Sequence, residues 1–286
     1  MLRVDHEVPD LKALRKLGFV ADMHFHTSYS HDCKTSVKDI VAKARKLGIW
    51  VAITDHNRIG GVLEARKYKN APVIPGIELC SKEGKEVIAY FYKDTDLKRF
   101  YDTRIAPWLK DKNALRSSRT PFRIKDIMLW LEQERCVIHM PHPFAPHPRK
   151  AYPFFRRQRH KPLLKGFDSI EVLNCFEPCK HNLSALGWAV QLDKGVAGGS
   201  DGHMLNALGS SVTVSKARSV KQHLDNIKRG HVHIVGIELK PHQRALNYAK
   251  GTVATKFERG FTGGIKKAAR FPKKALKLGS SVFLTK

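Results

Sequence analysis

The sequence predicts an α/β protein built on a parallel sheet, and a barrel in particular, for three reasons. Short apolar or β-branched runs alternate with segments of helical periodicity along most of the 286 residues. Several of these runs end in a histidine or a carboxylate, and barrel active sites are built at the carboxyl ends of the strands. The chain also has the length of one α/β barrel domain, which routinely contains about 200–250 residues.

The first elements of the pattern are well delimited. An apolar run at 18–21 predicts a strand that leads into a pair of histidines. The helix predicted at 37–46 has Ser36 as its N-cap and Gly48 just beyond its end. The β-branched run at 50–54 predicts the next strand, and 73–77 and 86–92 are further strand candidates.

The second half continues the alternation. A helix is predicted at 119–134, because Ile124, Ile127, Met128 and Leu131 keep helical spacing after Pro121. Short strands are then predicted at 136–138, 169–173, 196–199, 212–214 and 231–235, with helices at 183–192 and 220–229.

Two segments interrupt this alternation, and a tail follows it. Residues 93–118 are rich in charge and are expected to form an excursion or lid. Residues 143–165 are loop-like and strongly basic, with Arg149, Lys150, Arg156, Arg157, Arg159, Lys161 and Lys165. From Glu238 onward the apolar periodicity weakens, which predicts a poorly structured tail. The expected organisation is a lead-in at 1–18, a main domain at 19–238 and a basic tail at 239–286.

The charge of the chain is its unusual bulk property. With 52 basic and 26 acidic residues, the formal net charge is +26. A field of this sign attracts polyanions such as nucleic acids, anionic membrane surfaces or phosphorylated substrates, although a lineage-wide bias toward basic proteins is the plain alternative. The five cysteines form no CxxC pair and the N-terminus lacks a secretory pattern, so reduced thiols in the cytoplasm are expected. No stretch approaches the length of a membrane-spanning helix.

The residues at the strand ends have the chemistry of metal ligands. His24 and His26 are spaced i, i+2, so their imidazoles point to the same side of a strand and one metal ion can bind both. Side chains of the same kind follow the later apolar runs at His56, Glu78, His142, Asp201 and His203. The sequence therefore predicts a multinuclear metal site assembled from strand ends.

Five short motifs in order resemble the polymerase-and-histidinol-phosphatase (PHP) family of metal-dependent phosphoesterases. The first motif, D-x-H-x-H-T-x-x-S-x-D, begins at Asp22 and ends at Asp32. The remaining four are Thr54-Asp55-His56, Gly76-Ile77-Glu78, His142-Pro143 and Ser200-Asp201-Gly202-His203. The match runs from about Phe19 to His233. The resemblance implies a distorted (β/α)7 TIM-like barrel that binds two or three divalent metals at its strand ends.

The resemblance also implies a ligand set. Its members are His24, His26, Asp32, His56, Glu78, His142, Asp201 and His203, with Glu78 able to bridge two metals. Imidazoles and carboxylates suit Mn²⁺, Zn²⁺ or Fe²⁺. Some family members supply a further histidine after the strand that matches 169–173. Glu171 or Asn174 could replace it here, or a third metal could be absent.

Residues next to these ligands have competing interpretations. Asp22 and Asp55 are expected either to accept a hydrogen bond from the ring of a ligand histidine and so fix its tautomer, or to cap helices. His139 competes with His142, but only His142 is followed by proline, and His31 is expected to be exposed.

The expected reaction is hydrolysis of a phosphate ester by a hydroxide held between two metals. Asp201 and His203 are the expected catalytic residues together with Arg149, and His203 or His26 could protonate the leaving oxygen. An arginine beside the metals would orient the phosphate as a bidentate donor, and the candidates are Arg149 and the cluster Arg156, Arg157 and Arg159. The basic charge favours nucleotides or nucleic-acid ends as substrates. Tyr152, Phe154 and Phe155 lie among the loop arginines and either stack bases or anchor the loop to the domain.

Four alternatives remain at this stage. A phosphomonoesterase of the histidinol-phosphatase type would share the metal site. An amidohydrolase would share the His-x-His but not the Asp32 and Asp201-x-His203 spacing. A decayed domain would only bind its ligand. The basic tail could contact an anionic membrane surface or RNA as a binding module. The oligomeric state is not predicted.

Overall fold

Ten strands form one curved sheet in the computed structural model of the protein, which describes residues 2–108, 119–146 and 149–240. In chain order they are β1 (Arg3–His6), β2 (Phe19–Phe25), β3 (Trp50–Ile53), β4 (Val73–Cys80), β5 (Glu86–Phe91), β6 (Cys136–Met140), β7 (Ser169–Asn174), β8 (Gly195–Gly199), β9 (Ser211–Ser215) and β10 (His233–Gly236). Their order across the sheet is β1-β10-β9-β2-β3-β4-β5-β6-β7-β8.

Eight α-helices connect or flank these strands within the described residues. They are α1 (Leu11–Leu17), α2 (Val37–Leu47), α3 (Gly60–Ala65), α4 (Asp94–Phe100), α5 (Ile124–Leu131), α6 (Tyr152–Phe155), α7 (Cys179–Gln191) and α8 (Val220–Lys228). Shorter turns of π-helix at Tyr101–Ile105 and of 3-10 helix at Lys161–Gly166 and Leu205–Ala207 complete the regular structure.

The sheet has the direction pattern of a distorted barrel. Strands β2, β3 and β4 are parallel to one another, and so are β6, β7 and β8. Strand β5 lies between the two sets and is antiparallel to both neighbours. Strand β8 returns to β2, because Phe25 in β2 pairs with Gly202 after β8, and the Ser200 N–H donates to Asp22 Oδ1 at 2.9 Å. The predicted α/β, TIM-like architecture is confirmed, with two strands reversed, β5 and β9, since β9 is antiparallel to both β2 and β10.

Burial on both faces explains why the strands read as continuous apolar runs. Every position of β2 is buried, since helices cover the outside of the sheet and side chains fill the inside. Helix α2 covers this strand region with the buried stripe Val37, Ile40, Val41 and Ala44, which has helical spacing.

The ends of α2 show how local chemistry sets a boundary. Ser36 accepts a hydrogen bond from the Asp39 N–H at the N-terminus, as its predicted role as a cap requires. Gly48 ends the helix in the left-handed region at φ 67°, where a side chain would be disfavoured. The predicted helix at 37–46 is therefore confirmed to within one residue.

Two predicted helices have different bounds in the structure. Helix α5 begins at Ile124 rather than at residue 119, because Thr120 donates from its N–H and its hydroxyl to Cys80 O and is tied to the β4–β5 hairpin. Helix α7 begins at Cys179 rather than at residue 183, directly after Pro178, which occupies its N-cap.

The predicted lead-in is described by the structure, whereas most of the predicted tail and part of the predicted excursion are not. Residues of the expected lead-in form β1, which pairs with β10, and α1. The predicted basic tail after residue 240 and part of the predicted excursion, at 109–118, lie outside the described residues. Within the described ranges, no helix combines the length and apolar character needed to cross a lipid bilayer.

Candidate metal centre

The strand ends bring all eight predicted ligands to one rim of the barrel. His24 lies in β2 and His26 directly follows it, and their Nε2 atoms are 3.2 Å apart. The other ligands come from β4 and from segments that follow β2, β3, β6 and β8. We call the set of His24, His26, Asp32, His56, Glu78, His142, Asp201 and His203 the cage.

Glu78 is the central carboxylate of the cage. Its Oε2 lies 3.0 Å from His56 Nδ1 and 3.6 Å from the Nε2 atoms of both His24 and His26. Its Oε1 faces the other way, 3.4 Å from His142 Nε2. One carboxylate therefore faces two sets of imidazoles, as a ligand shared between two cations would.

Asp32 and Asp201 extend the cage on either side of Glu78. Asp201 Oδ1 lies 3.3 Å from the Nε2 atoms of both His24 and His26. Asp32 Oδ2 lies 3.3 Å from His56 Nε2 and 3.0 Å from His203 Nε2. Each carboxylate oxygen is thus shared by two ring nitrogens.

These separations fit metal ligation. Ligands about 2.0–2.1 Å from a tetrahedral zinc ion lie roughly 3.3 Å from one another. Within the described part of the chain, buried atoms with no hydrogen-bond partner include both oxygens of Glu78, both ring nitrogens of His142 and Nδ1 of His56. Since buried polar atoms are nearly always satisfied, these atoms fit the ligation of a cation. Imidazole and carboxylate donors suit Zn²⁺, Mn²⁺ and Fe²⁺.

The electrostatics of the cage keep its carboxylates ionised. Burial alone would raise the pKa of Asp201, yet His24, His26 and His203 hold that pKa well below its usual value. The pKa of Glu78 is likewise well below its usual value, because His56 and His24 outweigh the effect of burial. Burial and the neighbouring His203 lower the pKa of His26 to about 3, so its ring is neutral. Ionised carboxylates and a neutral imidazole are the states that bind metals.

Two cage residues have strained backbones. His142 has φ 23° and Asp201 has φ 51°, in a region that non-glycine residues seldom adopt. Such conformations persist where surrounding structure enforces them, and they concentrate at functional sites. Here the strain directs both side chains into the cage.

Glu171 and Asn174 hold the cage from behind. Glu171 Oε1 lies 3.1 Å from His24 Nδ1, and its Oε2 accepts from the His142 N–H at 2.8 Å. The Asn174 side-chain amide donates to Glu171 Oε2 and to Asp201 Oδ2. Among the residues that the structure describes, neither belongs to a group of side chains that could itself hold a metal. At the place where some family members have a ligand histidine, the structure thus shows Glu171 and Asn174 in contact with cage residues.

Asp22 and Asp55 have a different role from the one expected. Asp22 accepts from the N–H groups of His24, Ser200 and Gly209, and so joins β2 to the segments after β8. Asp55 accepts from the Thr27 N–H at 2.6 Å and the Thr27 hydroxyl at 2.7 Å. Both carboxylates fix main chain around the cage; neither holds an imidazole tautomer or caps a helix.

Glu86 is a residue that the sequence reasoning missed. It is buried, it groups with His56 and Glu78, and its Oε2 has no hydrogen-bond partner within the described residues. Burial and the neighbouring Glu78 raise its pKa. Glu86 begins β5, and the reversal of that strand puts its first residue on the rim where parallel strands end. The one sequence feature that could have pointed to Glu86 is its position as a carboxylate at the start of a predicted strand.

The two histidines that compete with the ligands lie outside the cage. His139 Nδ1 is 2.8 Å from Ser169 Oγ, and within the described ranges His139 belongs to no group of side chains that could hold a metal. His31 is exposed, and its ring centroid is 5.1 Å from that of His56.

The basic loop places one arginine near the cage. Arg149 is half-buried and close enough for its charge to act on both His142 and Glu86, where it opposes the rise in the pKa of each side chain. In contrast, Arg156, Arg157 and Arg159 are exposed.

The aromatic residues of this loop serve mainly as anchors. Phe155 is fully buried, and Tyr152 stacks on Phe144 at 4.5 Å while meeting the edge of Trp188. Phe154 stacks on His160 at 4.0 Å. These contacts favour the interpretation in which the aromatic side chains fasten the loop to the domain.

Comparison with known proteins identifies the family. A sequence model described as the PHP domain matches residues 22–120. The uncharacterized protein MJ1587 of Methanocaldococcus jannaschii is 31% identical over 116 residues, which cover 36% of this chain and 67% of that protein. The chain belongs to the PHP domain family. It is thus a metal-dependent phosphoesterase of PHP type, the class that the five motifs predicted, and its family uses divalent metals.

Two solved structures share the fold. A two-domain protein from Bacteroides vulgatus, which contains a predicted PHP-like metal-dependent phosphoesterase, aligns with a TM-score of 0.53 at 18% identity. The alignment covers 88% of this chain and 74% of that one. Endonuclease Q, solved with a 27-mer duplex substrate with an abasic lesion at the active site, gives a TM-score of 0.59 at 15% identity. That alignment covers 77% of this chain and 60% of the endonuclease.

Proposed function

We propose that this PHP protein hydrolyses phosphate esters of nucleotides or nucleic-acid ends, using two or three divalent ions held by the cage. The observation that carries the proposal is Glu78, whose two buried oxygens face separate imidazole sets and lack hydrogen-bond partners within the described residues. Bound cations would lower the pKa of a coordinated water and neutralise charge on the phosphate oxygens.

The residues of the cage would have separate roles. Glu78 would be shared between two ions, while Asp201 would hold the ion between His24 and His26. Asn174 donates to Asp201 and keeps that carboxylate in place. The side chains of His203 and Asp32 are 24% and 26% exposed, so substrate would approach the cage from their side. His203 is therefore the best-placed imidazole to pass a proton to the leaving oxygen.

Arg149 would orient the phosphate. Its guanidinium lies near His142 and Glu86 at the edge of the cage, and a guanidinium matches two phosphate oxygens at once. Because phosphoryl transfer depends on positioning and charge neutralisation, such a donor contributes to both.

The positive charge of the whole chain and of the basic loop favours a substrate with several phosphates. The formal net charge is +26, and the exposed basic residues of the loop lie on the segment that carries Arg149. A small phosphomonoester needs no extended positive field, whereas each phosphate of a nucleic acid adds an electrostatic contact. The fold shared with endonuclease Q, which was solved with duplex DNA, supports the same choice. We place the activity in the cytoplasm, since all five cysteines are free thiols.

The first experiment is a substrate panel with supplied Mn²⁺, Zn²⁺ or Fe²⁺. It contains nucleoside monophosphates, 3′,5′-bisphosphates, short RNA and DNA, and sugar phosphates, and released phosphate or shortened product is measured. We expect nucleotides or oligonucleotides to be hydrolysed fastest, and Asp201→Asn to abolish turnover on every active substrate. Faster hydrolysis of sugar phosphates would instead favour the histidinol-phosphatase type of activity.

A second experiment tests the role of Arg149. Arg149→Lys keeps the charge but loses bidentate donation, so kcat/KM should fall by roughly tenfold to a hundredfold, in line with about 1.5–3 kcal/mol for a charged hydrogen bond. Arg218→Gln is the matched control, because Arg218 is exposed and follows β9, whose carboxyl end lies on the opposite rim. An equal decrease in kcat/KM for the two variants would mean that Arg149 only adds to the overall positive charge and does not orient the phosphate.

A further inference from the structure

A second group of metal-ligating side chains lies outside the cage. His6, Cys179 and Glu238 offer a ring nitrogen, a thiol sulfur and a carboxylate oxygen within 4.8 Å of one another. His6 Nδ1 is 2.8 Å from Glu238 Oε1, and Cys179 Sγ is 4.0 Å from His6 Nδ1. We call these three residues the rim site.

The topology explains why residues so far apart in sequence meet here. Strand β10 runs in the same direction as β2, because both are antiparallel to β9, and β1 is parallel to β10. His6 ends β1 and Glu238 follows β10 by two residues, so both lie on the rim that carries the cage. Cys179 begins α7, just after β7 reaches the same rim.

Main-chain hydrogen bonds hold the rim site in place without any ligand. His6 pairs with Gly236 in the β1–β10 ladder. The Leu239 N–H donates to Cys175 O at 2.8 Å and fixes the chain next to Glu238 against the start of α7. The three side chains are therefore brought together by backbone that is already ordered, which lowers the entropic cost of binding an ion.

We propose that His6, Cys179 and Glu238 bind one thiophilic divalent cation, with Zn²⁺ the best match, at a site separate from the catalytic cage. Thiolate, imidazole and carboxylate together are typical zinc ligands, and three protein ligands leave a fourth position for water. Binding forms a sulfur–metal bond and releases the thiol proton to solvent.

The geometry is close to that of a loaded site. Sulfur and nitrogen ligands of tetrahedral zinc lie roughly 3.5 Å apart, and nitrogen and oxygen ligands roughly 3.3 Å apart. The observed 4.0 Å and 2.8 Å differ from these values by amounts that side-chain rotation can supply. Cys179 is the one exposed cysteine among the five, all of which lie in described residues, so an ion can reach it from solvent.

Electrostatics support a cation at this position. Partial burial and the Glu238 carboxylate raise the pKa of the Cys179 thiol, since thiolate and carboxylate repel each other when no positive charge separates them. A divalent ion removes that repulsion and ionises the thiol.

The rim site is also linked to the catalytic cage. The Asn182 amide donates to Glu238 Oε1 and to Asn174 O, while the Asn174 amide donates to Asp201. A cation at the rim would therefore fasten β1, the start of α7 and the segment after β10 to the residues that position Asp201.

Cobalt substitution distinguishes this site from the cage, because no cysteine belongs to the cage. The full chain is stripped with a chelator and titrated with Co²⁺, and the near-ultraviolet charge-transfer band of a Co²⁺–thiolate bond is recorded. We expect the band in the wild type and its loss in Cys179→Ser, together with a loss of about one Zn²⁺ per chain in metal analysis. Glu238→Gln should weaken Co²⁺ binding at this band at least tenfold.

His181→Ala is the matched control. His181 lies two residues after Cys179 on the same helix but pairs with Glu177, so its removal should leave the band intact. The proposal is overturned if saturating Co²⁺ gives no thiolate band in the wild type, or if the band survives in Cys179→Ser. Neither readout depends on hydrolysis, so the outcome is independent of the proposed substrate.

Discussion

Two groups of buried histidines in the described residues differ in what surrounds them. In the cage, His24 and His26 lie 3.3 Å from an Asp201 oxygen and 3.6 Å from a Glu78 oxygen. Elsewhere, His139 and His223 are equally buried, but their neighbours are serine hydroxyls at 2.8 Å and 2.7 Å. Burial of an imidazole is thus common to both groups, and converging carboxylates separate a metal site from a packed core histidine.

The protonation of His24 shows the same contrast, whereas His26, whose pKa burial also lowers to about 3, is neutral like the core histidines. Burial lowers the pKa of His139 and of His223 to about 3, so both are neutral core side chains. Burial acts on His24 as well, yet Asp201, Glu171 and Glu78 outweigh it and raise the pKa of that ring. Buried carboxylates concentrate negative charge around the cage histidines, and this charge attracts a cation. The core histidines have serine hydroxyls as their hydrogen-bond partners instead.

The largest effect should come from removing the central carboxylate. Glu78→Gln keeps the shape but removes the shared charge, so hydrolysis should fall by roughly a thousandfold or more, because metal ions supply several kcal/mol of transition-state stabilisation. Turnover and metal content are measured together. His223→Leu is the comparison, since it changes a buried histidine outside the cage and should keep its metal. Full turnover in Glu78→Gln would contradict the assignment of the cage.

Removal of the metal should lower the thermal stability of the protein through the cage histidines and not through the core histidines. A ligand at a hundred times its Kd stabilises a folded protein by about 2.7 kcal/mol. For a domain of this size, chelation should therefore lower the thermal midpoint by roughly 5–10 °C. The decrease should be smaller in Glu78→Gln, where an ion at the rim site is still there to be removed, than in His223→Leu, as differential scanning calorimetry would record. An unchanged midpoint in the wild type would mean that the cage holds no strongly bound ion.

A smaller effect should follow from loosening the support of the cage. Glu171→Gln removes the charge that holds His24 Nδ1, and loss of such a partner typically weakens metal affinity by about 10–100-fold. Competition with a chelating dye measures that affinity. Ser169→Ala, which removes the partner of His139, is the matched control and should leave affinity unchanged. Similar affinities in the two variants would argue against a positioning role for Glu171.

A separate effect is a pH dependence of stability that belongs to the core histidines and leaves the cage untouched. The pKa of His223 is lowered from 6.5 to about 3 in the folded protein, so below pH 6.5 the unfolded chain binds more protons at this residue. Its contribution to stability is complete above pH 6.5 and is lost as pH falls toward 3, by up to about 1.4 kcal/mol per pH unit. Urea unfolding between pH 4 and 7 should show a shallower acid loss in His223→Leu than in the wild type. If the free energy of unfolding falls with pH in the same way in both proteins, residues other than His223 cause the loss of stability in acid.

Much of the cage could be predicted from local sequence. The i, i+2 spacing of His24 and His26 and the positions of His56 and His142 after apolar runs follow from strand periodicity, which decides which side chains share a side. The helix at 37–46 was equally readable, since Ser36 and Gly48 mark its ends by chemistry that acts within a few residues.

What the tertiary structure alone decided is which strand ends meet. Glu86 reaches the rim because β5 is antiparallel to β4 and β6, and strand direction leaves no trace in a short apolar run. Glu171 and Asp22 became supports rather than ligands or caps because of contacts with chain segments far away in sequence. The rim site joins residues 6, 179 and 238 for the same reason. Periodicity records burial and turn chemistry, whereas the order and direction of strands result from packing the whole chain.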